Sequence, residues 1–360
     1  MIWPAHGSNP HYLYEAAGLK QPNRIIDFSA NINPFGPPSS IKKKWGDLFG
    51  GIETYPDPQS TVLKKKLAYR EEIDEKQILI GNGGAEIISL IGRWLSSKKV
   101  LIVEPAFSEY EAVCRINGCE ISYFSLSEDW EVDLDSLSER LSNIDAVFFC
   151  NPNNPTGLYF NKRMIEDILK ECRKKDCHLI VDEAFYDFVL EYESLVPLLN
   201  DYSNLLLLRS MTKIYGIPGL RLGYVMACRD LIETLTNYQS HWSVNSVAMK
   251  VGELCLEEEV YVQHTVQFIE KQRDILFSFY KKNGFHVTDS KVNFYLLKDK
   301  ELEDQSPLFQ FLLEKGIVPR HTFNFPGLEG RWLRFAIRTD YENKQLLEAM
   351  QEWRSIHPSY

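Results

Sequence analysis

The chain has 360 residues, 44% hydrophobic and 25% charged, with a formal net charge of -10 at pH 7 and a pI near 5.4. That is the balance of an ordinary soluble globular protein, with chain enough for one large core or two smaller ones. The acidic excess argues against nucleic acid as a general partner, so an anionic ligand would need arginines placed locally against the overall field.

Taken in order, residues 1–36 read as largely irregular, with a short helix near 13–18 and a strand over 25–28. Gly36-Pro37-Pro38 then breaks any regular element. Thr54-Tyr55-Pro56-Asp57-Pro58 is a second breaker, followed by an amphipathic helix over 62–70. A strand over 77–81 runs into Gly81-Asn82-Gly83-Gly84-Ala85-Glu86, which opens a helix over 87–95. From there strands and helices alternate. Apolar runs at 100–104, 120–124, 146–150, 178–182, 205–208 and 222–227 predict strands. Between them lie helices such as 163–175, where Met164, Ile165, Ile168, Leu169 and Cys172 share one stripe. Continuous apolar strands alternating with helices predict an α/β fold, a mostly parallel seven-stranded sheet covered on both faces.

After Tyr238 the rhythm changes. A long helical region runs to 283, strands follow at 285–287, 294–297, 317–320 and 332–337, and a helix near 341–354 closes the chain. A large unit over 45–238 and a smaller α+β unit over 239–360 are therefore expected. The seven cysteines are an odd number, and Cys114/Cys119 and Cys172/Cys177 lack a second pair at metal-ligand spacing. Free buried thiols and no metal are expected. No basic-then-apolar leader and no apolar run of membrane length is read, which places the chain in the cytoplasm.

The chemistry concentrates in residues 210–224. Lys213 sits where the strand 205–208 gives out, beside the hydroxyls of Ser210 and Thr212, with Arg221 eight residues on. Burial disfavours an ammonium ion, so a desolvated lysine is a good nucleophile towards an aldehyde. A nearby hydroxyl and an arginine fork suit a phosphate dianion. Together they describe an anchor for pyridoxal 5'-phosphate (PLP). Gly83-Gly84-Ala85 at a helix start offers backbone N–H groups to a phosphate, and no Gly-Lys-Ser/Thr follows to make it a nucleotide loop. Tyr110, past the strand 100–104, has a flat ring that could stack on a pyridine. Asn154, in Asn151-Pro-Asn-Asn154-Pro-Thr-Gly157, could donate to the cofactor's phenolic oxygen. Asp182 ends its strand where ligands bind in such sheets, and a buried carboxylate there needs a cation such as a protonated pyridine nitrogen. Candidate anion-binding residues are His6, Asn31, Arg163, Arg320, Arg334 and Arg338.

The wording Ser210-Met-Thr-Lys213 through Ile217-Pro-Gly-Leu-Arg221-Leu-Gly-Tyr224 resembles the fold-type I PLP enzymes. Within them it resembles the branch shared by histidinol-phosphate aminotransferase and threonine-phosphate decarboxylase, and more closely the decarboxylase. The resemblance covers nearly the whole chain from His6. It implies catalytic roles for Lys213, Asp182 and Tyr110, with Tyr110 stacked on the cofactor. Gly84, Ala85, Ser210 and Arg221 would carry the cofactor phosphate and Asn154 its phenolic oxygen. Tyr55 would reach the cofactor phosphate of a neighbouring subunit in a homodimer with shared sites. Residues 1–44 would form an arm that crosses the site and packs with the smaller unit.

On the substrate side, the resemblance assigns Arg334 to an α-carboxylate, and His6, Asn31, Arg163 and Arg320 to a substrate phosphate. The position three after Asp182, usually tyrosine in the wider family, is Phe185 here, a departure that fits the decarboxylase better. The implied reaction is decarboxylation of L-threonine O-3-phosphate to (R)-1-amino-2-propanol O-2-phosphate, in cobalamin biosynthesis. Histidinol-phosphate transamination is the alternative. The same residue types serve both, because the outcome depends on which bond at Cα stands perpendicular to the cofactor ring. A non-catalytic sensor joined to a DNA-binding regulator would need a basic helix-turn-helix extension, which this acidic chain lacks.

Overall fold

The computed structural model describes residues 3–4 and 6–358. Its largest sheet has seven strands: β1 (Ile78–Gly81), β2 (Lys99–Glu104), β3 (Glu120–Ser125), β4 (Ala146–Cys150), β5 (His178–Asp182), β6 (Leu205–Ser210) and β7 (Gly223–Met226). Their spatial order is β1-β7-β6-β5-β4-β2-β3. β7 runs antiparallel to both its neighbours, and the remaining pairings are parallel, as the apolar runs predict.

Register explains why these strands read as unbroken apolar runs. Leu101, Val147, Leu179 and Leu205 are partners in one row across four strands, and all enter one apolar cluster. The next row, Ile102, Phe148, Ile180 and Leu206, enters a second cluster on the opposite face. Each such side chain contributes roughly 1.5–3 kcal/mol on burial. Helices α1 (Gly83–Trp94) and α2 (Glu109–Ile116) cover the second face with Ile87, Ile91 and Val113. α3 (Lys162–Lys174) covers the first with Ile165, Ile168, Leu169 and Cys172, the stripe legible in the sequence. It starts where the Asn161 side chain accepts from the Met164 N–H.

A second, antiparallel sheet holds β8 (Phe285–Val287), β9 (Phe294–Asp299), β10 (Arg320–His321) and β11 (Leu333–Ala336), in the order β10-β11-β9-β8. Three local expectations change. The strand expected over 317–320 is two elements. Ile317–Val318 pairs in parallel with Ile26–Asp27, whereas β10 pairs with β11, and Pro319, which has no N–H to donate, lies between them. The long helical region up to 283 is two helices, Ser246–Cys255 and Glu259–Lys282, after an irregular stretch. A short helix at Leu134–Arg140, capped by Asp133 on the Ser136 N–H, carries no apolar stripe long enough to announce it.

The sheet matters most at one edge. Cys150, Asp182 and Leu208 are register partners at the ends of β4, β5 and β6. Because β7 is antiparallel, it starts at this edge, with Gly223 paired to both Gly81 and Ser210. Five loops thus open on one mouth. No helix among the described residues is long and apolar enough to cross a membrane.

Candidate active site

A cavity at that mouth has two lobes that share Lys213, Asn154, Phe107, Phe185 and Arg221. The first lobe is lined by Gly84 and Ala85 from the start of α1, Tyr110 from α2, Asp182, Ser210 and Thr212. The second adds His6, Asn31, Ser29, Arg320, Phe325 and Arg334. Residues distant in sequence and expected to act together therefore border one space.

Glycine is required on the first lobe's floor. Gly83 has φ +77°, and a Cβ there would lie 2.8 Å from Nη2 of Arg221. A Cβ on Gly223 would lie 2.9 Å from both the Gly84 nitrogen and the Arg209 oxygen. At Gly84, by contrast, a Cβ would meet nothing within 4 Å, because that side opens on the cavity. The first turn of α1, the Arg221 guanidinium and the paired Ser210 and Thr212 hydroxyls (2.7 Å apart) make an anion cradle.

Across the lobe, Asp182 is buried. Its Oδ1 accepts from the Ala184 N–H at 3.0 Å and its Oδ2 from the Tyr110 hydroxyl at 2.6 Å. Burial pushes its carboxyl above the usual range, while Tyr110, the Ala184 N–H and Lys213 pull it back. Lys213 is the opposite case. Burial, then the neighbouring Arg334 and Arg221 charges, bring its amine down to about 8. It stands 5.9 Å over the Phe185 ring, and its carbonyl accepts from the Asn33 N–H.

Tyr110 is placed differently from the expectation. Its ring is 1% exposed and lies parallel to Phe148, with centroids 4.9 Å apart at 9°. One face is thus taken by the sheet, and the hydroxyl is spent on Asp182. Phe107, three residues earlier, is half-buried and borders both lobes. Both rings border the first lobe, and nothing in Pro105-Ala-Phe-Ser-Glu-Tyr110 could say which of them also reaches the second, because that depends on where α2 begins.

The second lobe is strongly cationic. Arg320 and Arg334 are cross-strand partners on β10 and β11, both buried. Burial lowers Arg320 to about 10, and burial with the Arg320 charge lowers Arg334 to about 9. Arg334 donates to Asn154 Oδ1 and, at 2.9 Å, to the Ser29 carbonyl. Arg320 contacts His321 Nε2 at 2.6 Å and donates to Asn324 Oδ1 at 2.8 Å. Asn31 Oδ1 and Arg334 Nε are buried with no hydrogen-bond partner among the described residues.

Other candidates fall outside this cavity or on its rim. Arg163 is exposed on the first turn of α3 and borders neither lobe. The sequence offered only its short distance from Gly157, and the helix turns it to solvent. Arg338 pairs with Glu342 at 3.2 Å, one turn along the closing helix. Tyr55 is 80% exposed and lies in tilted contact with Trp242 at 4.8 Å, away from its own chain's cavity. His6 reaches the second lobe's rim, with Nε2 2.9 Å from Glu109 Oε1. Residues missed in the sequence include Phe107, Ser29 and Phe325.

The arrangement can hold a phosphate at a helix start and place an amine beside a buried carboxylate. It can also grip a second, doubly anionic ligand. The family described as aminotransferase class I and II matches residues 23–350. Threonine-phosphate decarboxylase of Salmonella typhimurium strain LT2 is 36% identical over 352 residues, 96% of each chain. Among solved structures, the histidinol-phosphate aminotransferase from Clostridium acetobutylicum superposes with a TM-score of 0.86 at 30% identity, covering 91% of this chain and 99% of that one. The L-threonine-O-3-phosphate decarboxylase from Porphyromonas gingivalis does so with a TM-score of 0.82 at 26% identity and the same coverage.

Proposed function

We infer the chemistry from one premise: the chain belongs to the class I and II aminotransferase family, whose fold it has. The first lobe fits pyridoxal 5'-phosphate. The α1 N–H groups at Gly84 and Ala85, with Ser210 and Arg221, would hold its phosphate. Asp182 would hold a proton at the ring nitrogen, and Asn154 would donate to the phenolic oxygen. Phe107 would be the ring that stacks on the cofactor, in place of Tyr110, which would orient Asp182. When bound, the cofactor supplies an aldehyde for the substrate amine and a ring that accepts the electrons of whichever Cα bond breaks.

The reaction proposed is decarboxylation of L-threonine O-3-phosphate to (R)-1-amino-2-propanol O-2-phosphate and carbon dioxide, as in cobalamin biosynthesis. The observation that carries it is the cross-strand pair Arg320 and Arg334, two buried cations facing one small lobe. A substrate with a carboxylate and a phosphate matches that pair, Arg334 taking the carboxylate and Arg320, Asn31 and His6 the phosphate. Arg334, fixed by Asn154 and Ser29, would grip the substrate carboxylate in one orientation. Lys213, whose amine burial brings down to about 8, would in its protonated form return a proton to Cα. Identity of 36% over 96% of both chains with the Salmonella enzyme supports this reading, and so does Phe185.

Histidinol-phosphate transamination is the second reading, favoured by the fold match to the Clostridium enzyme. One assay separates them. Carbon dioxide release from threonine phosphate without any 2-oxo acid is expected, whereas turnover of histidinol phosphate only with 2-oxoglutarate would reverse the choice. Exposed Tyr55 and Trp242, in tilted contact with each other outside their own cavity, support a homodimer whose subunits share sites.

A further inference from the structure

We infer that His321 is a positioning residue for the substrate's phosphate: its imidazole aims the Arg320 guanidinium into the second lobe without cancelling its charge. This rests on the phosphorylated-substrate reading above.

Arginine nitrogens only donate. Nη1 of Arg320 lies 2.6 Å from Nε2 of His321, so Nε2 must be the acceptor, and the ring is the neutral tautomer with its proton on Nδ1. Asn324 Oδ1 takes Nη2 at 2.8 Å. These two acceptors are uncharged. A carboxylate at either place would fix the guanidinium equally well but neutralise it, leaving little attraction for an anion. Arg334, the register partner, is held in the same way by an amide and a backbone carbonyl.

What keeps the imidazole neutral and still is its surroundings. His321 is 1% exposed and is packed among Trp3 (centroids 5.1 Å apart), Phe323 (5.3 Å) and Phe309 (6.1 Å). Burial, then the Arg320 charge, bring its pKa down to about 3. The ring therefore stays an acceptor across the whole working pH range. Trp3 belongs to the N-terminal segment, so that segment helps to hold the anion receptor.

The test uses holoenzyme carrying His321→Phe, which keeps a ring but removes the acceptor, and His321→Gln, which restores a neutral acceptor. Inorganic phosphate is the calorimetric probe, and kcat and KM are measured with L-threonine O-3-phosphate. In His321→Phe, phosphate should bind about tenfold more weakly and KM should rise by about as much, with kcat within about threefold. His321→Gln should recover binding to within about threefold of the parent. The inference is overturned if His321→Phe binds phosphate like the parent, or if His321→Gln is as weak as His321→Phe. A parent holoenzyme that binds no phosphate overturns the phosphorylated-substrate reading first, and this inference with it. Should His321→Phe not accumulate, His321→Leu, which also lacks an acceptor, takes its place with the same expected and overturning outcomes.

Discussion

The Tyr110 hydroxyl donates to Asp182 Oδ2 across 2.6 Å while its ring lies flat on Phe148, so sheet packing and cofactor electrostatics meet in one side chain. Burial favours the protonated form of Asp182, and this hydrogen bond opposes it. Tyr110→Phe keeps the packing and removes the donor. Asp182 should then hold a proton more readily, and kcat should fall by roughly 10-fold, the value of a hydrogen bond to a charged group. Steady-state kinetics at saturating cofactor would show it, and an unchanged kcat would rule out the orienting role.

Phe107 is the ring available for stacking. Phe107→Ala should weaken retention of the cofactor by about 5-fold, since such stacking is worth roughly 1 kcal/mol. Dialysis against an apo-protein acceptor, followed through the visible band, measures it. Tyr110→Phe should leave retention nearly unchanged in the same assay. If the two variants behave alike, the assignment of Phe107 fails.

Phe185 packs edge-on against Phe294, with centroids 4.8 Å apart, and lies under Lys213. A hydroxyl on this ring would add a donor towards the cofactor's phenolic oxygen and draw negative charge from it. Phe185→Tyr should therefore lower the pH midpoint of the visible-band titration that reports the Lys213 linkage. A midpoint that stays put or rises contradicts the placement.

Arg334 serves two acceptors at once, Asn154 Oδ1 and the Ser29 carbonyl, with a fork that lysine cannot copy. Arg334→Lys should reduce kcat/KM by roughly 100-fold, the loss of a bidentate charged contact. Arg163→Ala, on an exposed helix turn, should remain within about twofold. Equal losses in the two variants would place the substrate elsewhere.

Much of this was legible in the sequence, for physical reasons. Strands buried on both faces must be apolar throughout, so the seven-stranded sheet announced itself. Asp182 and Lys213 stood out as charged residues ending such strands. Loops hid the rest. Phe107 and Tyr110 are both aromatic residues in one turn, and only the start of α2 decides which of them borders both lobes. Pro319 divides one apparent strand between two sheets, which sets β10 and hence Arg320 opposite Arg334. Arg163 was plausible by spacing alone, because spacing does not reveal which side of a helix start faces solvent.

Lys213 offers a prediction independent of catalysis. Its amine is lowered from an ordinary 10.5 to about 8, chiefly by burial. A base whose folded value is depressed contributes stability above its unfolded value and loses it as pH falls through the folded one. Between about pH 8 and 10.5 the unfolded chain binds a proton that the native state does not, so native stability rises with pH across that window. Lys213→Met has no such proton. With cofactor removed, urea midpoints for the parent should therefore gain on those of Lys213→Met from pH 8 to pH 10. A gap that moves the other way would mean that Lys213 is charged in the folded protein and is not the neutral amine that the site requires.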